Sequence, residues 1–189
     1  MNILKNAVLL LLLLTGGYWL SEQYKQANAL DNLIHKHIQT ASVASTTYLD
    51  EARAIQGNND LTPIESKLLL LDQHLQAGEH LEVLAKGQAF LEGDPDNLEI
   101  LLRLGIVYLQ EDDYALAYEQ LIAVHQAPTT ASLLQIEAAW YLALLQSQEG
   151  HWEQSQKYLQ QVLSTHTVYR RSAEELIAEI EQHKQTLIG

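Results

Sequence analysis

With no cysteine in the chain, proton transfer or metal ligation near neutral pH would fall to its eight histidines and its 24 carboxylates. The histidines stand at 35, 37, 74, 80, 125, 151, 166 and 183. No two are four residues apart, the spacing by which one helix face would hold a zinc ion, and His35 and His37 would point to different sides of a helix. The sequence holds no glycine-rich phosphate loop, no Gly-x-Ser-x-Gly elbow and no His-Glu-x-x-His. The carboxylates follow helix surfaces in a way that solvation explains. The expectation is therefore no catalytic residue, no cofactor, no metal and no enzyme. The chemistry left is recognition between surfaces.

Charge and composition narrow the partner. Eleven Lys and Arg against 24 Asp and Glu give a net charge of -13, which repels phosphate backbones, so nucleic acid is not expected. The absence of cysteine also removes disulfides and a lipid-modified N-terminal cysteine as an anchor. Three prolines and nine glycines among abundant Leu, Ala, Gln and Glu point to an all-α chain. At 189 residues it has room for one domain and an appendage.

The appendage is N-terminal. Residues 1–20 carry one cation, Lys5, then the aliphatic run Leu9, Leu10, Leu11, Leu12, Leu13 and Leu14, and close with Tyr18, Trp19 and Leu20. From Ile3 to Leu20 a helix at about 1.5 Å per residue would reach roughly 27 Å, near the thickness of a hydrocarbon core. A buried core helix is disfavoured by eight consecutive aliphatics at the extreme N-terminus, and two other readings follow. In one the segment is an uncleaved transmembrane anchor, with Tyr18 and Trp19 as interfacial aromatics. In the other it is a signal peptide cut near Gly17. Lys5 and the terminal amine place the near side in the cytoplasm, so the remainder would face the periplasm of a bacterium, held by a single pass through the inner membrane. The division expected is 1–20 for the anchor or signal, 21–61 for a helical connector and 62–189 for the main domain.

Within that domain three helix-turn-helix units align on the turn markers Gly78, Asp112 and Gly150, spaced by 34 and 38 residues. Leu70, Leu104 and Leu142 correspond, followed by Leu71, Gly105 and Ala143. The middle unit carries Leu101, Leu104, Gly105, Tyr108, Tyr114, Ala117, Leu121 and Pro128. This pattern resembles the tetratricopeptide repeat (TPR): a large residue, a Leu-Gly pair, an aromatic, a small residue, a large one and a closing proline. The first unit departs from it, with Gly87 where a large residue is usual and Phe90 where a small one is, a pair that reads as a compensating size swap. Thr62, Pro63 and Glu65 form a capping box with a first-turn proline, and Asp94 with Pro95 is expected to repeat the device. Residues 169–185 read as a capping helix. Upstream, Leu30, Ile34 and Ile38 recur at four-residue steps, and Ser42 to Thr47 is expected to interrupt that helix.

The resemblance implies a TPR-like solenoid in which the first helix of each pair lines a concave groove. At equivalent places stand Glu65, Glu99 and Glu137; Leu68, Leu102 and Trp140; Asp72, Ile106 and Leu144; Leu75, Leu109 and Ser147; and Gln76, Gln110 and Gln148. Carboxylate-clamp TPRs use Lys, Arg and Asn at such places, and none stands here. Leu68, Leu102, Ile106, Leu109, Trp140 and Leu144 instead form an apolar stripe suited to an amphipathic helix or an extended apolar peptide. Glu99 and Glu137 could flank it, although acidic residues near helix starts are also favoured by the macrodipole. The stripe needs a cover, either a partner, a second copy in a homo-oligomer, or residues 30–55 of this chain. The implied function is a membrane-anchored TPR adaptor or scaffold that binds a polypeptide in an envelope complex. The alternative is a cleaved, soluble periplasmic TPR chaperone or assembly factor.

Overall fold

The computed structural model describes residues 28–41, 61–128 and 133–188. Among them are eight helices and no strand. Residues 28–39 form α1; then follow α2 (Pro63–Gln76), α3 (His80–Leu91), α4 (Leu98–Gln110), α5 (Tyr114–His125), α6 (Leu133–Gln148), α7 (Trp152–Leu163) and α8 (Arg170–Ile188). The transmembrane or signal segment expected at 1–20 lies outside the described residues, as does the interruption at Ser42 to Thr47. Among the described residues no helix is long and apolar enough to cross a membrane.

The helix starts follow from their caps. Thr62 Oγ1 accepts from Glu65 N at 3.3 Å while Glu65 Oε2 accepts from Thr62 N at 2.7 Å, and Pro63 needs no donor in the first turn. Asp94 and Pro95 do not repeat this arrangement. The cap of α4 is Asn97, whose Oδ1 accepts from Ile100 N at 3.1 Å and whose Nδ2 donates to Asp94 Oδ2 at 2.9 Å. An amide can donate and accept at once, so Asp94 orients the cap and Pro95 stays in the turn ahead of it.

The three turns inside the pairs share one geometry. Gly78, Asp112 and Gly150 have φ of 71°, 60° and 77°. After each, a backbone amide returns to the carbonyl five residues earlier: Glu79 to His74 at 2.9 Å, Asp113 to Tyr108 at 2.9 Å and His151 to Gln146 at 2.8 Å. This is the Schellman closure, and it needs a left-handed residue at the turn. The turn markers read from the sequence are thus the positions where the backbone changes hand.

From α2 onward each helix packs on the next, and α2 also packs on α4 and α4 on α6. Two glycines set the approach between elements. A Cβ on Gly87 would lie 2.7 Å from Leu104 Cδ2, and one on Gly105 would lie 2.7 Å from Leu121 Cγ. Gly87 therefore makes room for Leu104 of the next pair and not for Phe90 of its own, whose ring lies 4.9 Å below Lys67 Nζ. Leu104 and Leu142 are buried, whereas the aligned Leu70 is 36% exposed. One apolar cluster runs through the described helices, taking in Leu30, Ile34 and Ile38 of α1 and Ala173, Leu176 and Ile180 of α8.

Candidate functional site

The sequence points to the face made by α2, α4 and α6, and the structure fills that face. Leu68, Leu102, Ile106, Leu109, Trp140 and Leu144 are all buried, none more than 4% exposed. They are not an open stripe. Of the covers that the sequence allows, the chain itself supplies one: Gln110 Nε2, at the end of α4, donates to the carbonyls of Ile38 at 3.1 Å and Gln39 at 3.5 Å. The ring of His37 meets the indole of Trp140 edge-on, centroids 5.3 Å apart. The C-terminal end of α1 therefore lies across α4 and α6, and its stripe of Leu30, Ile34 and Ile38 enters the common core.

Beyond that end of α1 lies a small pocket of about 150 Å³ lined by His37, Ala41, Trp140, Tyr141, Tyr169 and Ser172 among others. Tyr169, at the head of α8, stacks on Trp140 with ring planes 16° apart and donates its hydroxyl to Glu137 Oε1 at 2.7 Å. Its hydroxyl is 3.3 Å from that of Tyr141. Burial pushes the Tyr169 phenol far above its ordinary range, and the neighbouring Tyr141 and the Glu137 carboxylate push it the same way. It stays a neutral hydrogen-bond donor. Burial also lowers the pKa of His37, with Lys36 adding to the effect and Glu175 opposing it.

The three aligned glutamates do different things. Glu65 closes the capping box and Glu99 lies in the first turn of α4, as the macrodipole favours. Glu137 is past the first turn of α6, 3% exposed and bonded to Tyr169, so it is an internal strut. Asp72, placed on the groove by alignment, is turned to Arg103 instead: Arg103 Nε reaches Asp72 Oδ1 at 2.7 Å and Nη2 reaches Oδ2 at 2.9 Å. Arg103 is fully buried and also donates from Nη1 to the Glu99 carbonyl at 2.8 Å. Of the aligned glutamines, Gln76 and Gln148 are exposed, whereas Gln110 is the clasp on α1.

Gln110 stands among the aligned groove positions, but its bond to α1, and the contacts of His37 and Tyr169 with Trp140, are not legible from the alignment. The legible signal was the four-residue recurrence of Leu30, Ile34 and Ile38, an apolar face with no place in the three repeats. The aligned hydrophobic positions are core residues, so substituting Leu102 or Trp140 attacks packing before recognition. Among the described residues no three His, Cys, Asp or Glu side chains group as a metal site would require. Leu9 to Leu14, Tyr18 and Trp19, expected from the sequence to meet a membrane, lie outside the described residues. Comparison with protein-family models, curated proteins and solved structures finds no match to this chain.

Proposed function

We propose that this chain is a TPR-like helical-repeat adaptor, held to a membrane by residues 1–20, whose domain binds another polypeptide outside the cytoplasm as part of an envelope complex. One observation carries the binding half of the reading: the face of α4 and α6 accepts a helix, with Gln110 holding its terminal carbonyls and Trp140 its last aromatic contact. A surface that seats an amphipathic helix by an apolar stripe and main-chain bonds is a surface for protein, not for a small substrate. The three aligned units and their shared turn support the repeat architecture. The apolar run from Leu9 to Leu14, followed by Tyr18 and Trp19, supports the anchor.

The test is site-specific photo-crosslinking in intact cells, followed by detergent extraction of membranes. A photoreactive residue at Gln110 should join the chain to a defined partner, and one at Glu119, exposed on α5, should not. Equal products from both positions, or none from either, overturn the adaptor reading. The mass of the mature chain decides the anchor: a first residue beyond Leu14 means cleavage and leaves the soluble chaperone.

A further inference from the structure

Residues 28–41 are a ligand that the chain carries for its own face, and their make-up states what the face takes. Leu30, Ile34 and Ile38 are at most 2% exposed, while Asp31, Asn32, His35 and Lys36 face solvent. On a helix turning about 100° per residue, aliphatics at i, i+4 and i+8 form one stripe on a single side. The polar clasp selects nothing beyond that stripe, because Gln110 bonds to main-chain carbonyls, which every helix end offers. His37 adds a flat ring against Trp140, and the pocket next to it leaves room for a larger side chain.

We infer that the face of α4 and α6 is a site for an amphipathic helix with large aliphatic residues at i, i+4 and i+8, that residues 28–41 are its resident occupant, and that a partner's helix of this pattern binds by exchange with them. The inference rests on the adaptor reading and adds the partner's chemistry and the means of control. The resident helix guards an apolar surface that would otherwise be open to nonspecific association. A partner gains entry by offering the same stripe with more contact.

The test uses the full-length chain in detergent micelles and a fluorescent synthetic peptide spanning Asn28 to Ala41. Ile34→Asp in the chain weakens the resident helix and leaves the face unaltered, so the peptide should bind this variant at least tenfold more tightly than it binds the wild type. The same peptide carrying Ile34→Asp should not bind. Because the chain has no cysteine, Gln39→Cys with Gln110→Cys creates its single thiol pair, which a flexible bis-maleimide reagent can bridge to hold the resident helix in place. That chain should bind the peptide when unbridged and lose binding at least tenfold when bridged, a result that does not depend on how well the Ile34 variant folds. Equal binding by the bridged and unbridged chains, or no binding by either, overturns the inference. A partner that co-purifies equally well with bridged and unbridged chains would retain the adaptor and refute the exchange. Peptide exchange with no crosslinked partner would do the reverse.

Discussion

Arg103 and Asp72 form a two-pronged ion pair inside the protein, Nε to Oδ1 at 2.7 Å and Nη2 to Oδ2 at 2.9 Å, that ties α4 to α2. With Arg103 fully buried and Asp72 nearly so, removing Arg103 strands a buried carboxylate, and removing Asp72 leaves the guanidinium with only the Glu99 carbonyl at 2.8 Å and the Glu99 carboxylate at 3.9 Å. Asp72→Ala or Arg103→Ala should therefore lower the unfolding free energy by about 3–5 kcal/mol, read from urea melts. The double replacement Asp72→Leu with Arg103→Met should come back to within about 2 kcal/mol of wild type, since two apolar groups strand no charge. A double variant as unstable as the worse single one would show that the pair stabilises the fold by more than mutual neutralisation.

Gly105 should not tolerate a methyl group. The added Cβ would sit 2.7 Å from Leu121 Cγ, on a side chain packed in the core, and Gly105→Ala should cost about 1–3 kcal/mol despite alanine's better helix propensity. Combining it with Leu121→Ala should cost less than the sum of the two single changes. Strict additivity in thermal or urea unfolding would place the strain elsewhere.

His37 gives stability a pH dependence of known sign. Its folded-state pKa is lowered, by burial first and by Lys36 second, so the folded protein prefers the neutral ring. The contribution is whole above the unfolded value near 6.5 and declines as pH falls through that value toward the lower folded one. His37→Phe keeps an aromatic edge for Trp140 and removes the titration. The advantage of the wild type over this variant, measured by urea midpoints, should shrink from pH 7.5 to pH 5.5. A gap that stays constant would show that His37 does not titrate differently on folding.

Trp140→Ala removes a side chain that is 2% exposed and stacked on Tyr169. The cavity should cost about 3–5 kcal/mol. Circular dichroism should show a lowered melting temperature before any binding assay is run, and an unchanged melt would mean that the neighbouring rings collapse into the space.

What the sequence displayed was whatever repeats or caps. Gly78, Asp112 and Gly150 were legible as turn markers because a left-handed residue is needed at each Schellman closure, and the spacing between them counts helix lengths. The capping box at Thr62 was legible because its partners lie three residues apart. The cap of α4 was misplaced by three residues: Asp94 and Pro95 resemble a helix start, and only the structure shows Asn97 accepting from Ile100. The Arg103 to Asp72 pair spans 31 residues and joins two helices, so neither periodicity nor local pattern reveals it. The candidate site was half legible. Aligned hydrophobic positions located the face, but whether such a stripe is bare or covered depends on where α1 folds back, which is a tertiary fact.

α1 shares a chain with the face of α4 and α6 that it covers, and dilution cannot separate them. Under the proposed exchange, vacancy at that face would be an intramolecular population, identical at nanomolar and millimolar protein. A competitor's apparent dissociation constant is its intrinsic one divided by the vacant fraction, so a face open about one hundredth of the time weakens every incoming helix about a hundredfold. Under that exchange the fraction would set a threshold on affinity, screening out weak, abundant amphipathic segments and admitting a strong, scarce one.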